Sequence, residues 1–502
     1  MAIFYSLATH FGFVALCIIF CIKSILKWSK KRRAAKNAPP IIHIPEQEIL
    51  CNPRQAYERA LALYGPVVGV KRKGRLEYIV NENLTHEVLT TNTSFSFEQG
   101  TSFILNLHYF HKYFTAFYTE IDDLVRNVIV SRMPLVVEQV FPSFMRIAGD
   151  FEKELAPRDD REPKYVDAEI MAHRGISEAM AHVILGEQFV VASNLEVIEN
   201  VAHDMATVTG IYQNTSWWGT NFPDLWRAFT WAKVLTTTIP LYYGTIGLQI
   251  WRKLRSEQFR AEEAKENPEG SVLNYLACKN ADEDGNVGFA AFAKISALVL
   301  GIAFASVHQT ASVAVWMLYE LAARPEYLSE LREEMSEIAH VDPTSEHPEI
   351  TYDSLQKATR LDSFIREVMR TKGDTLSACR MTTDDVPLAG YTIPKGYLVF
   401  PLASLSHLNT SYHGADAERF DGRRWVGTGK QAVMNNNTYY PFGLGRWACP
   451  GRNLAIAEIK MIVWSVICRS TPVLRGGSYS VPDPLNVTSV APKGEMTMHP
   501  IL

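Results

Sequence analysis

A ten-residue stretch with the sequence FGLGRWACPG, residues 442–451 and here named the cysteine loop, constrains the fold of this chain more than any other feature. Gly443 and Gly445 allow a tight turn that brings backbone N–H groups close to the sulfur of Cys449. The next residues, RNLAIAEIKMIVWSVI, have the apolar spacing of an amphipathic helix. Pro450 suits the start of such a helix, where its missing N–H would have no partner. The loop is therefore predicted to present one thiol at a helix N-terminus.

The environment of Cys449 favours a thiolate. The positive end of a helix dipole lowers the pKa of a thiol, and a thiolate that accepts hydrogen bonds suits a haem iron as a strongly donating axial ligand. Arg446 is placed to meet a haem propionate. A lone cysteine is more often a small buried hydrophobic residue, and it is the surrounding sequence that favours the metal ligand here.

The cysteine loop resembles the haem-binding signature of the cytochrome P450 family. The resemblance implies that Cys449 is the axial thiolate of haem b, with Phe442, Gly443, Arg446 and Gly451 beside the cofactor. It also implies a mainly helical fold with a smaller β region, built as one large domain.

Two upstream segments also resemble this family. Glu367 and Arg370 form a Glu-x-x-Arg pair, and the i, i+3 spacing puts both on one helix face. By itself the pair is a weak signal, because a surface ion pair has the same spacing. The segment 420–425, FDGRRW, resembles the one whose arginine, here Arg424, completes a buried triad. The resemblance gives the triad a structural role in positioning the cysteine loop, and it implies that Arg380 contacts a haem propionate.

A long apolar helix is predicted from Phe292 to the break at Arg324-Pro325, and it is similar to the family's distal helix. That helix usually carries an acid followed by an alcohol, which relay protons to bound dioxygen. Here His308 takes the acid position and Gln309 the alcohol position. His308 can shuttle protons near neutral pH, or it is a core histidine bonded to backbone. Gln309 is a poor relay, so Thr310 or ordered water is the expected substitute.

Two aromatic regions suggest an apolar substrate that arrives from a bilayer, although an aromatic core explains each equally well. One region spans residues 95–118, and the other, residues 217–251, holds five of the ten tryptophans, a residue that favours the membrane interface. The family's usual Trp-x-x-x-Arg motif is not visible. Arg126 is a candidate contact for a propionate in that part of the chain.

The first 22 residues carry no Lys, Arg, Asp or Glu, and a cluster of cations follows between Lys23 and Lys36. This pattern is typical of a membrane anchor whose C-terminal side stays in the cytoplasm. A cleaved signal peptide would carry its charge before the apolar stretch. We expect an anchor at 1–22, a basic flank with a Pro39-Pro40 hinge at 23–40 and a catalytic domain at 41–502. The localisation expected is the endoplasmic reticulum membrane, single-pass, with the catalytic domain in the cytosol.

The body of the chain shows no repeat or linker that would divide it. Two strands around a turn at Lys73-Gly74 are predicted, and most of the remainder is predicted to be helical. The 50 Lys and Arg residues against 54 Asp and Glu residues give no basic field for nucleic acid. Seven cysteines without a CxxC pair indicate neither a disulfide framework nor a cysteine-rich zinc site.

The function favoured by these features is a membrane-anchored haem-thiolate monooxygenase that oxidises a hydrophobic small molecule with dioxygen. No flavin or nicotinamide fingerprint is present, so NADPH-cytochrome P450 reductase is the expected electron donor, with cytochrome b5 as an additional partner. The signature resembles that of fungal microsomal members that tailor terpenoids and alkaloids. The alternatives are oxidative coupling, ring formation or rearrangement without net oxygen insertion, and a haem-carrying electron-transfer protein with His308 as second axial ligand.

Overall fold

The computed structural model describes residues 37–72, 74–108, 116–155, 165–255, 270–339 and 350–501. The predicted anchor at 1–22 and nearly all of its basic flank lie outside the described residues. The prediction of a mainly helical body with a smaller β region is confirmed.

The helices of the N-terminal half are α1 Glu46–Cys51, α2 Pro53–Tyr64, α3 Thr85–Thr90, α4 Phe97–Ile104, α5 Phe117–Leu124, α6 Met133–Leu155, α7 Ala168–Leu185, α8 Ala192–Val208, α9 Trp217–Asn221, α10 Pro223–Lys233, α11 Ile239–Tyr242 and α12 Leu248–Leu254. The helices that follow are α13 Val272–Asn280, α14 Phe289–Ala323, α15 Leu328–Ile338, α16 Tyr352–Lys357, α17 Thr359–Thr371, α18 Ser404–His407, α19 Thr410–His413 and α20 Arg452–Ile467. Short π-helical turns at Val125–Ile129, Val234–Thr238 and Tyr243–Gly247 extend α5, α10 and α11.

The strands are β1 Ile41–Ile42, β2 Val67–Arg72, β3 Arg75–Val80, β4 Phe95–Ser96, β5 Arg380–Thr382, β6 Val386–Leu388, β7 Tyr391–Ile393, β8 Leu398–Pro401, β9 Ser470–Leu474 and β10 Met496–Pro500. Six of them form one sheet in the order β1-β2-β3-β8-β5-β4. The predicted hairpin is the antiparallel pair β2 and β3, and its register places Arg72 opposite Arg75. Gly74 takes the positive φ of 74° that the turn requires, whereas Lys73 lies outside the described residues.

The central helix α14 organises the body, because it packs against α7, α8, α20 and β9. Its residues are apolar on nearly every side, as expected for a helix surrounded by others. It ends at Ala323, before the predicted break at Arg324-Pro325, and α15 follows. Among the described residues, α14 and the helical stretch Phe117–Lys153 are long and apolar enough to cross a membrane. The contacts of α14 with its neighbours are those of a core helix, and core helices are also often long and apolar enough to cross a membrane.

Candidate active site

The cysteine loop is a tight turn that leads into α20. Gly443 and Gly445 have positive φ angles of 73° and 71°, which only glycine adopts without strain. A Cβ on Gly445 would also lie 3.0 Å from the Thr90 side chain. The backbone N–H of Cys449 donates to the carbonyl of Phe442 at 2.8 Å. This hydrogen bond joins the beginning of the loop to its end and holds Cys449 immediately before α20.

The sulfur of Cys449 has a mixed environment. Burial is the largest influence and raises the pKa of the thiol, whereas the N–H of Gly451 donates to the sulfur and the charges of Arg452 and Arg126 lower the pKa. The net direction is upward, so the lowering expected from the helix terminus is outweighed by desolvation. Coordination to a metal ion would reverse this balance, because a coordinating thiol is deprotonated.

Asp122 joins two arginines beside the cysteine loop. Its buried carboxylate accepts from Arg126 Nε at 3.0 Å and from Arg446 Nη1 at 2.5 Å. Two of the three predicted propionate contacts are therefore engaged by one carboxylate, and each keeps a partly accessible side chain, 39% for Arg126 and 44% for Arg446. The cluster carries a net positive charge of one.

Arg380 is a buried cation without a carboxylate partner among the described residues. It is 2% exposed and donates to the carbonyls of Cys379 and Leu89 at 2.8 and 2.9 Å, while its Nε has no partner. Burial lowers the pKa of its guanidinium to about 10. A buried guanidinium with a free N–H calls for an anion.

These residues fit a haem. Cys449 supplies one thiol ligand, Arg380 offers an unpaired donor, and the cluster around Asp122 adds positive charge for carboxylates. Trp447 of the loop stacks on Phe97 with 4.8 Å between ring centroids and an interplanar angle of 16°. Haem carries two propionates and needs an axial donor, so the donor set matches its chemistry.

The structure brings the three residues of the predicted triad together. Arg370 donates to both carboxylate oxygens of Glu367, at 2.6 and 2.8 Å, and Arg424 Nε donates to Oε1 at 3.1 Å. Trp425 Nε1 adds a bond of 3.1 Å to Oε2. Arg370 also donates to the carbonyls of His407 and Ala417. The triad thus holds the irregular segment before the cysteine loop against α17.

The distal residues differ in their surroundings. His308 is 2% exposed, and its Nε2 donates to the carbonyl of Ser489 at 2.9 Å, which matches a core histidine bonded to backbone. Burial lowers its pKa to about 4, so the ring is neutral at pH 7. Thr310 is buried as well, whereas Gln309 is exposed on the same helical stripe as Ala305. Gln309 Nε2 donates to Ser489 Oγ at 2.9 Å.

The two aromatic regions have different surroundings. In the first, Tyr118 meets Phe97 and Phe117 edge to face, and its hydroxyl lies 3.0 Å from that of Ser102. Residues 109–115 of this region lie outside the described residues. The second region is largely exposed along α9 to α12, and it does not form a core as a whole.

Sequence reasoning did not single out Asp122, Asp374 or Ser489. Asp122 had one local signal, because it precedes Arg126 by four residues on a helix. Asp374 and Ser489 are 115 residues apart and had none, yet Ser489 Oγ lies 3.2 Å from Asp374 Oδ2.

Comparisons with known proteins agree with this site. The cytochrome P450 family model matches residues 35–471. Cytochrome P450 monooxygenase AN1598 of Emericella nidulans is 32% identical over 221 residues, 41% of this chain and 39% of that protein. Cytochrome P450 monooxygenase paxQ of Penicillium paxilli is 31% identical over 222 residues, 41% of this chain and 42% of that protein. The matches thus span well under half of these relatives.

The fold itself matches a solved structure. The retinoic acid-bound cyanobacterial CYP120A1 superimposes with a TM-score of 0.66 over 93% of this chain and 100% of that one, at 17% identity. Taken with the family match over most of the chain, the thiol loop and the buried triad, these findings show that the chain belongs to the cytochrome P450 family, whose cofactor is haem held by a cysteine thiolate.

Proposed function

We propose that this protein is a membrane-anchored haem-thiolate monooxygenase that oxidises a hydrophobic small molecule, a terpenoid or alkaloid of fungal secondary metabolism. The observation that carries the proposal is the placement of Cys449. Its loop is closed by the bond to Phe442, and its sulfur accepts from the N–H of Gly451. Bound haem supplies the redox iron at which dioxygen is activated, with electron donation from the thiolate.

The residues of this chain have separate tasks in that reaction. Cys449 holds the iron, Arg380 and the arginines around Asp122 receive the propionates, and the triad of Glu367 keeps the loop in place. A preorganised site of this kind spends no binding energy on ordering its own residues during catalysis.

An exposed apolar surface supports membrane association. Along α9 to α12, large apolar side chains reach solvent, among them Trp217 at 65%, Trp218 at 53% and Phe229 at 60% exposure. Isolated exposed apolar residues are ordinary, but Trp217, Trp218 and Phe222 contact one another, and an exposed apolar patch marks an interaction surface. Tryptophan in particular favours the lipid headgroup region. This surface and the anchor expected at 1–22 fit one side of the endoplasmic reticulum membrane, with the body in the cytosol.

The substrate class and the electron donors follow from different arguments. An apolar entry surface favours a substrate that partitions into the bilayer, and the relatives from Emericella nidulans and Penicillium paxilli support a fungal pathway. NADPH-cytochrome P450 reductase supplies the electrons in this proposal, with cytochrome b5 as a second donor.

The decisive experiment is the difference spectrum of the reduced, carbon monoxide-treated full-length protein in lipid nanodiscs. A red-shifted Soret band is expected, because it reports thiolate ligation of ferrous haem. Well-folded protein that binds no haem would overturn the proposal, and so would haem without the red-shifted band.

The amide of Gln309 favours a second kind of reaction. Gln309 stands where an alcohol is usual, and an amide is a poor proton relay, which favours oxidative coupling, ring formation or rearrangement over oxygen insertion. Turnover under labelled dioxygen separates the two functions, because insertion puts the label in the product. An unlabelled product with a new bond or ring would select the second.

A further inference from the structure

A hydrogen-bonded chain of three side chains links the central helix to the segment that follows α17. Gln309 Nε2 on α14 donates to Ser489 Oγ at 2.9 Å, and Ser489 Oγ donates to Asp374 Oδ2 at 3.2 Å. The other oxygen of Asp374 accepts from the backbone N–H of Thr488 at 2.7 Å. We name these three side chains the Asp374 chain.

The middle of the Asp374 chain is held from both sides. His308 Nε2 donates to the carbonyl of Ser489 at 2.9 Å, and Trp316 Nε1, two turns further along α14, donates to the carbonyl of Val487 at 2.6 Å. Thr375 N donates to the carbonyl of Leu485 at 3.1 Å. The loop that carries Ser489 is therefore held against both α14 and the segment of Asp374. This preorganises the Asp374 chain.

The carboxyl of Asp374 binds its proton closer to physiological pH than an ordinary aspartate carboxyl does. Burial is the main cause that raises the pKa of its carboxyl to about 6, with a further contribution from Asp483, while the bonds from Thr488 and Ser489 lower it. Lys372 does not compensate its charge directly, because Lys372 pairs with Glu320 at 3.5 Å. The titratable groups next to this segment are Asp483, His308, His407 and Lys372.

Gln309, at one end of the Asp374 chain, lies on the exposed stripe of α14. Gln309 is exposed, whereas its neighbours His308 and Thr310 are buried. The Nε2 group of Gln309 is used by Ser489, and its Oε1 has no partner among the described residues. That oxygen is free to hold a water molecule. A serine hydroxyl both donates and accepts, so Ser489 can pass a proton that an amide cannot.

We propose that Asp374 and Ser489 relay protons to the side of α14 where the substrate reacts, here named the reaction face. Asp374 holds the proton, and Gln309 holds the water molecule that receives it. This inference rests on the proposed function, because that function places Gln309 beside the reacting oxygen. In this proposal Asp374 and Ser489 relay the protons that an acid and an alcohol of the distal helix usually relay.

The transfer conserves protons and moves no electrons. Protonated Asp374 gives its proton to Ser489 Oγ, and the hydroxyl proton of Ser489 passes to the water at Gln309. Asp374 is left as a carboxylate and takes a proton from bulk water, so the net result is one proton moved from solvent to the reaction face. In the structure Ser489 donates to Asp374, so the hydrogen bonds are those of the state in which Asp374 is a carboxylate.

The first test follows the carboxyl group without catalysis. Infrared difference spectra of the full-length oxidised protein are recorded as pH is varied from about 4.5 to 8, because an ordinary aspartate carboxyl has a pKa of about 4. A carboxyl band that titrates near pH 6, disappears in Asp374→Asn and shifts in Ser489→Ala is expected. Asp483→Asn is the matched control, since Asp483 is a neighbouring buried carboxyl that bonds to Asn214 and Asn486 and makes no hydrogen bond to Asp374 or Ser489. The band is expected to persist in this variant and to titrate at a lower pH, because the charge of Asp483 raises the pKa of Asp374. No titrating band, or a band that persists in Asp374→Asn, would overturn the proposal.

The second test asks whether the carboxyl reaches the reaction face. The C–O stretch of the ferrous carbon monoxide complex is measured over the same pH range. A pH-dependent shift in the native protein that is absent in Asp374→Asn and Ser489→Ala, and retained in Asp374→Glu and Asp483→Asn, is expected. The same response in all five proteins would show that Asp374 is only a structural acid. Ser489→Ala provides the result if Asp374→Asn does not fold, and the carboxyl titration remains readable even if the thiolate spectrum of the proposed function fails.

Discussion

Arg446 of the cysteine loop donates to Asp122 at 2.5 Å, across 324 residues of sequence. Asp122 is 4% exposed and also accepts from Arg126, so that one carboxylate restrains the loop and pairs with two cations. Because the pKa of Cys449 responds to the charges of both Asp122 and Arg126, this cluster belongs to the electrostatic surroundings of the sulfur.

Asp122→Asn is expected to make the reduction potential of the haem iron more positive. The substitution removes a negative charge near the thiolate and leaves both arginines, which favours the reduced, less positive iron. Spectroelectrochemical titration measures the shift. Asp123→Asn, an exposed neighbour on the same helix, is expected to leave the potential unchanged; equal shifts in both variants would contradict a specific role for Asp122.

Cys449→Ser is expected to abolish both the red-shifted carbon monoxide band and product formation, because a serine hydroxyl is not a strongly donating ligand. The difference spectrum and turnover with reductase check this. Cys51→Ser, at an exposed cysteine, should retain both. A normal red-shifted band in Cys449→Ser would refute the ligand assignment.

Glu367→Gln is expected to destabilise the fold by about 3–5 kcal/mol, since it leaves Arg370 buried with weakened compensation. Arg370 and Glu367 both have fully buried side chains. Urea unfolding followed by circular dichroism, together with haem content, measures the effect. Asp416→Asn removes the exposed partner of Arg424 and should change stability little. A Glu367→Gln protein as stable as the native one would contradict the structural role of the triad.

Stability is expected to fall as pH drops from 7.5 to 5.5, partly because of His308. Burial lowers its folded pKa to about 4, so the unfolded chain binds a proton that the folded protein does not. The contribution is fully present above about pH 6.5 and is lost as pH falls toward 4. His308→Gln keeps an N–H donor for Ser489, and it should reduce the loss between pH 7.5 and 5.5 by about 1 kcal/mol.

Urea unfolding at the two pH values measures this difference. His173 and His407, whose pKa values burial lowers to about 3, keep part of the pH dependence in the variant. His86→Gln, at an exposed histidine, is the control and should behave like the native protein. An unchanged pH dependence in His308→Gln would show that the pKa of the ring is the same in the folded and unfolded states.

The exposed tryptophans are expected to contact lipid. Brominated acyl chains quench tryptophans at the membrane interface, so full-length protein in vesicles of brominated lipid should lose part of its fluorescence. The double substitution Trp217→Phe and Trp218→Phe should remove much of the quenched fraction. Trp464→Phe, at a residue 5% exposed whose Nε1 makes no hydrogen bond to the described residues, should leave that fraction as it is. Quenching that is identical in the double variant would place α9 away from the bilayer.

Local sequence patterns predicted much of the fold. The break at Arg324-Pro325, the hairpin near Gly74 and the long apolar helix depend on backbone preferences and on spacing along the chain. The pairing of Glu367 with Arg370 was predictable for the same reason, since i, i+3 residues meet on any helix. The thiol pKa was harder, because the helix terminus and burial act in opposite directions on Cys449 and the sequence shows only the first.

The sequence by itself determined that one cysteine, in a glycine turn before a helix, is the residue available to ligate haem, and that the body around it is mainly helical. Only the tertiary structure decided that Asp122 restrains Arg446 and that Asp374 reaches Gln309 through Ser489. The physical reason is that spacing along a helix or turn is fixed by local backbone geometry. Contacts between segments more than a hundred residues apart depend on how whole elements pack, and so does the burial that sets the protonation of Asp374 and His308.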